Sequence, residues 1–313
     1  LAGKASETFP AHDAFLGTKG VVMQQSLALS IGLPVALVII MFGLGLSLRL
    51  HDFTRCFSRP WPLLVGVFCQ VVILPLICFA LVSAAGMPAS ISVGMMLLAA
   101  SPGGPSAAIY THLARGDLAL SLVLTAVTSV VALVSLPIIA NLSLVAFLGQ
   151  ASDVRIELHQ VLQIFLIAIV PALAGVFIHN RNEAVARRLD KPVKLLSTVF
   201  LTAIVLFALL GQWELLLIWG PTVGLLAIVF NVISLAVGYL VPLLLKVERR
   251  QAIALALSIG VHNAALVMTI AMSERMLGDA QMAIPPAAYG LFSYVVCAIF
   301  VWILNRSRAA PAA

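Results

Sequence analysis

The chain has 313 residues, 62% of them hydrophobic and 10% charged, with a net charge of +6 and a mean hydropathy of +1.12. Soluble domains carry about 25% charged residues, so this composition excludes an ordinary globular fold and indicates an integral membrane protein. Four cysteines, Cys56, Cys69, Cys78 and Cys297, show no CxxC or metal-ligand spacing and read as small packing residues.

Residues 1–22 lack the apolar core of a signal peptide and are expected to be an N-terminal extension, followed by one transmembrane domain over 23–309 and a short tail at 310–313. Apolar runs bounded by charge or by Pro and Gly predict an all-α, polytopic bundle of nine spans: 26–49, 62–84, 88–114, 118–148, 160–179, 195–212, 217–245, 252–273 and 282–304. The fourth run is longer than one crossing needs, so the helix extends past the lipid or kinks at Pro137, and Pro75 and Pro242 also read as kinks.

Only Lys4, Lys19, Arg155 and Arg275 lie on one side of these spans, which leaves fourteen of the 18 basic residues on the other. Cytoplasmic loops retain positive charge, so the N-terminus is expected outside and the C-terminus in the cytoplasm, across a cell (inner) membrane. Trp61 and Trp302 near the inner boundary, with Trp213 and Trp219 near the outer one, fit interfacial anchors. The basic residues are dispersed over short segments rather than gathered on one face, which excludes a nucleic-acid surface.

Ionisable groups are disfavoured inside a membrane, so those found there mark function. All twelve acidic residues fall in loops, tails or span ends, which excludes a paired-carboxylate protease. There is no GxSxG elbow, and only His262 among the six histidines lies well inside a span. Enzyme catalysis is not expected.

The remaining polar chemistry is neutral and surrounds irregular backbone. The third span carries SPGGPS at 101–106 and the eighth carries SIGVHN at 258–263. Proline removes a backbone donor and glycine loosens the helix, and lipid cannot satisfy the groups so freed. A broken helix survives only inside protein or beside a wet cavity, where the N-terminus of its second half favours an anion. One glycine does not force a break, so His262 also fits a satisfied packing residue. Ser121, Thr125, Thr128 and Ser129 share a face of the fourth span, either toward the bundle interior or bonded to their own preceding carbonyls. Gln70, an amide in apolar surroundings, requires a polar partner.

Spans one to four align with spans six to nine in opposite orientation. The broken third then matches the eighth, and the second matches the seventh, which carries Asn231 and Ser234. Interrupted helices at equivalent places in inverted repeats point to a transporter's central site.

The segments IIMFGLGLSLRLHDF (39–53), CQVVILP (69–75), SPGGPSAAIYTHLARGDLALSLVLT (101–125) and SIGVHNAAL (258–266) resemble the bile acid:sodium symporter family. The resemblance implies a helical core domain against a smaller panel, two crossing broken helices, and alternating access for a small organic anion (a carboxylate, bile-acid-like or sulfonated acid). It implies substrate contacts at Gly103, Gly104, Ser106 and Asn263, and coupling-ion contacts at Gln70, Ser121, Thr125, Ser258 and His262. Members with defined sodium sites read roughly PGGTASN and EVGMQN. Here Ala107 stands for the serine, Ala108 for the asparagine, Ser258 for the glutamate and His262 for the glutamine. These departures leave sodium symport, coupling to a proton on His262, or uncoupled transport open, with an anion channel as the reading of another class. No cofactor besides a sodium ion is implied, and the expected partners are the organic anion and the bilayer, with the oligomeric state open and a monomer compatible with the reading.

Overall fold

The computed structural model describes residues 32, 34–35, 37–58, 60–149, 158–190, 192–193, 195–196, 199, 213–273 and 276–309. The expected N-terminal extension at 1–22 and most of the expected sixth span lie outside the described residues. Helix α1 (Leu37–Leu46) is followed by α2 (Leu50–Ser58) and by α3 (Trp61–Phe68), which runs through a π-turn at Cys69–Ile73 into α4 (Leu74–Ala85). Next come α5 (Ala89–Ala100), α6 (Ala107–Leu113), α7 (Leu118–Leu148) and α8 (Leu158–Arg181). The chain continues through α9 (183–190), α10 (Trp213–Leu244), α11 (Arg249–Gly260), α12 (Ala264–Met272), a 3₁₀ turn at Ala280–Ala283 and α13 (Ile284–Ala309). This is an all-α polytopic membrane fold. Four helices, Trp61–Ala85, Leu118–Leu148, Gly220–Leu244 and Ala280–Arg306, are each long and apolar enough to cross a bilayer.

Both interrupted spans are broken. The 88–114 run forms α5 and α6, separated by extended residues at Ser101–Gly104, and the 252–273 run forms α11 and α12, separated at Val261–Asn263. These short helices occupy the centre. Every residue of α5 from Ile91 to Ala100, of α11 from Ala252 to Gly260 and of α12 from Ala264 to Ala271 is buried. A helix apolar around its whole circumference belongs in such a core. The long helices surround it: α7 packs on α5, and α10 packs on α11 and α13. Their outer faces present Leu64, Leu76, Val130, Val134, Leu142, Leu225, Leu240 and Val295, all exposed, which is a surface matched to hydrocarbon.

Two elements differ from the sequence expectation. The 50–58 connection forms a helix, with the Thr54 and Ser58 hydroxyls bonded to the carbonyls of His51 and Thr54. The second span does not simply bend at Pro75. The Leu74 N–H bonds to the Cys69 carbonyl, five residues back, so the helix widens by one residue where the proline ring would strike the preceding turn. That widened turn holds Gln70, which is buried.

The basic segments meet at one end of the bundle. Arg55 pairs with Asp117 at 3.1 Å, the Asp117 N–H bonds to the Arg250 carbonyl, and the Trp61 indole N–H to the Leu245 carbonyl. Glu183 receives both Arg49 and Arg187, and the Arg187 hydrogen bond and charge, then Arg49, hold its carboxyl below the ordinary range. The glycines of α1 and α8 draw these helices together: a Cβ on Gly45 would overlap the Ala172 carbonyl oxygen, and one on Gly175 would meet that of Phe42.

Gly175→Leu should therefore lower the melting temperature of the purified protein by an overpacking cost of about 1–3 kcal/mol, and an unchanged midpoint would refute the close contact. Asp117 accepts the Leu120 N–H as the N-cap of α7. Asp117→Ala should cost about 1 kcal/mol, whereas Asp117→Asn keeps an acceptor oxygen and should lose less, as thermal unfolding of the two variants will read.

Candidate functional site

The two breaks cross as a pair of short antiparallel strands. Gly103 opposes His262 in a β-bridge, the Gly104 N–H bonds to the Val261 carbonyl, and the Asn263 N–H bonds to the Pro102 carbonyl at 3.0 Å. Each break supplies partners for backbone groups that the other leaves unpaired, in a setting where lipid offers none. Glycine is required by the distance of approach. A Cβ on Gly104 would lie 2.7 Å from the His262 carbonyl oxygen, and one on Gly103 would lie 3.0 Å from both the Ser258 carbonyl oxygen and Thr125 Oγ1. Gly103 and Gly104 thus face the crossing.

Side chains from neighbouring spans complete the broken ends. Gln70 Nε2 donates to the Ser101 carbonyl beyond the end of α5 at 3.2 Å. At the end of α11, Asn231 Nδ2 donates to the Gly260 carbonyl at 2.6 Å, and the hydroxyl of fully buried Tyr289 donates to the same carbonyl at 2.7 Å. Asn231 Nδ2 also reaches the Tyr289 oxygen at 2.7 Å. A carbonyl only accepts, so these contacts fix which arm of each amide is nitrogen. The other arms, Gln70 Oε1 and Asn231 Oδ1, are buried without a partner, as is His262 Nε2. His262 stacks on Phe230 with ring centroids 5.5 Å apart and meets Tyr289 edge-on at 5.4 Å. The Ser101 hydroxyl donates to the Leu98 carbonyl at 2.7 Å, and its oxygen lies 3.5 Å from His262 Nδ1.

A second polar group joins α6, α7 and α11. Thr111 Oγ1 donates to Ser121 Oγ at 3.2 Å, and Ser121 Oγ shares a 2.7 Å hydrogen bond with Ser258 Oγ. Thr125, Thr128 and Ser129 bond to carbonyls in the preceding turn of α7, at Ser121, Leu124 and Thr125 respectively. Ser121, Thr125 and Ser258 are therefore brought together, while Gln70 and His262 converge separately through Ser101.

Asn263 stands at the junction of two chambers. The larger, about 480 Å³, lies between α1 and α8 on one side and α7 and α12 on the other, lined by apolar side chains including Leu44, Val127, Phe165, Ile169 and Leu266. The smaller, about 100 Å³, is lined by Ser47, Ser106, Ala108, Ser293 and Tyr294 among others. Asn263 Oδ1 caps α12 by accepting the Leu266 N–H at 3.1 Å, which identifies its other arm as the NH₂ group. That group is a donor and selects an acceptor oxygen, at a helix N-terminus whose dipole favours negative charge. Asn231 and Tyr289 are the site residues that motif reading missed. The signal for Asn231 was its place in the seventh span, matching that of Gln70 in the second.

The profile of the Sodium Bile acid symporter family matches residues 34–242. The Uncharacterized sodium-dependent transporter YocS of Bacillus subtilis (strain 168) is 30% identical over 242 residues, covering 77% of this chain and 74% of its own. The Probable sodium/metabolite cotransporter BASS1, chloroplastic, of Arabidopsis thaliana is 26% identical, covering 87% of this chain and 66% of its own. The Ileal sodium/bile acid cotransporter of Mus musculus is 25% identical, covering 88% and 79%. With broken helices crossing at the centre of an apolar bundle, these matches make the chain a membrane transporter and not an enzyme: it belongs to the Sodium Bile acid symporter family.

Proposed function

We propose that the chain is a secondary transporter that moves a small organic anion by alternating access, coupled to sodium. The observation that carries this reading is the NH₂ arm of Asn263 at the junction of an apolar chamber and a second one lined by Ser106, Ser293 and Tyr294. A carboxylate or sulfonate accepts from that NH₂ group, its apolar body fills the larger chamber, and Ser106 borders the polar side. Gly103 and Gly104 serve by shape, letting the breaks cross close enough to form the floor of the site. The panel of α1 and α8 moves against the core that holds the crossing, exposing Asn263 to one side of the membrane at a time. The end bearing Arg49, Arg55, Arg187 and Arg250 faces the cytoplasm of a cell (inner) membrane, in keeping with its positive charge.

Sodium coupling draws support from the relatives, whose names describe sodium-dependent transport, and from the unpartnered Gln70 Oε1 beside the Ser101 carbonyl. Unwound carbonyls and half-helix ends are where transporters of this kind hold sodium. Ser121, Thr125 and Ser258 form the neighbouring hydroxyl group that couples α7 to α11 as the site changes state. The unpartnered His262 Nε2 favours a second reading, in which the coupling ion is a proton.

Reconstituted protein should take up radiolabelled organic acids faster with an inward sodium gradient than with choline, and saturably. Equal uptake in choline with stimulation by an inward proton gradient would replace sodium by the proton, and non-saturating flux without counterflow would indicate a channel. Under proton coupling, His262→Gln would abolish the pH dependence of uptake; under sodium coupling, it should keep the sodium stimulation, because glutamine supplies an acceptor oxygen. Asn263→Asp retains the cap on α12 but sets a carboxylate against the anion, so uptake should fall at least tenfold, about 1.4 kcal/mol, with the melting temperature nearly unchanged. Wild-type KM and kcat in that variant would dismiss Asn263 as the anion contact.

A further inference from the structure

Gln70 and Asn231 do the same work in opposite halves of the molecule. Gln70 on the second span donates its NH₂ to the carbonyl of Ser101, 31 residues later, where α5 has just ended. Asn231 on the matching seventh span donates its NH₂ to the carbonyl of Gly260, 29 residues later, the last residue of α11. In both, the amide nitrogen is spent on the half-helix end, and the amide oxygen is buried with no partner. Asn231 is fully buried, and the Tyr289 hydroxyl donates to Gly260 rather than to Oδ1.

The surroundings of Asn231 Oδ1 are those a cation selects. The oxygen only accepts, so its partner must bring positive charge or a hydrogen. Its amide stands beside the C-terminal end of α11, the negative end of a helix dipole, where the Gly260 carbonyl is already held by Asn231 Nδ2 and the Tyr289 hydroxyl. Unwound carbonyls and half-helix C-terminal ends are suited to small hard cations, which need several oxygens but no carboxylate when the ion is monovalent.

We propose that Asn231 Oδ1, with the carbonyl end of α11, is a sodium site of the second repeat, the counterpart of the Gln70 oxygen in the first. This rests on the sodium reading above and extends it to a residue outside the motifs of the two broken spans. Binding there draws Asn231, Tyr289 and Gly260 together and steadies the end of α11 that carries His262 and Asn263 into the crossing. Sodium at Asn231 thereby favours the geometry in which Asn263 presents its NH₂ group.

The experiment is a thermal-stability titration of the purified full chain with sodium chloride against choline chloride at constant ionic strength, in the absence of substrate. The wild type should gain stability with sodium. Asn231→Leu removes the oxygen, and the half-stabilising sodium concentration should rise tenfold or more. Asn231→Asp adds an acceptor oxygen and a charge, and the midpoint should stay or fall. A purely structural role, or a buried water at Oδ1, predicts lower melting temperatures with an unchanged sodium midpoint in the Leu variant, and that result overturns the proposal. Should the Leu variant fail to fold, the Asp variant decides alone, because a raised midpoint there means that the oxygen is no ligand. A wild type indifferent to sodium refutes sodium coupling itself, an outcome distinct from a sodium response that Asn231 substitutions leave in place.

Discussion

In hydrocarbon the most expensive atoms of this chain are the backbone groups of residues 101–105 and 261–263, each costing several kcal/mol if left unpaired. The antiparallel crossing of these two segments removes much of that cost. Val261 and Pro102 accept N–H groups from the opposite break, and Gln70, Asn231 and Tyr289 meet the terminal carbonyls. Neither break is tolerable alone, so the two repeats are bound to each other at this point. The burial of α5, α11 and α12 follows, because long apolar helices must enclose the crossing to exclude lipid.

Under the proposed function, the crossing lets a site with so few charged groups take both an ion and an anion. Half-helix N-termini and C-termini alternate around it, with the start of α12 at Asn263 on one side and the end of α11 at Gly260 on the other. Fixed dipoles of opposite sign lie within one chain turn of each other. In that proposal an anion meets donors at α12, a cation meets acceptors at α11, and no buried carboxylate or ammonium has to be desolvated.

Several parts of the site were readable from residue types. PGGP pointed to a break in the third span, and the structure separates α5 from α6 there; a single glycine in SIGVHN was weaker, yet the eighth span breaks too, opposite the first. Thr125 and Thr128 were left between a functional face and bonding to their own helix, and both bond to preceding carbonyls while remaining buried. Pro75 was legible as a perturbation, but its relief through a π-turn depends on the neighbours that hold Gln70 in place. Asn231 was legible as an intramembrane amide only, since its role exists once Gly260 ends a helix next to it.

Composition and the positions of Lys and Arg by themselves determined that the chain is a membrane bundle, because hydrocarbon and charge exclude each other whatever the fold. The Pro and Gly pattern likewise determined where a helix could not continue. Which freed groups would pair, and which amide oxygens and donors would be left for a ligand, was decided only in three dimensions. A hydrogen bond between Asn263 and Pro102, or between Asn231 and Gly260, joins residues far apart in sequence. At Asn231 that bond consumes the NH₂ arm of the side chain and leaves its amide oxygen unpartnered.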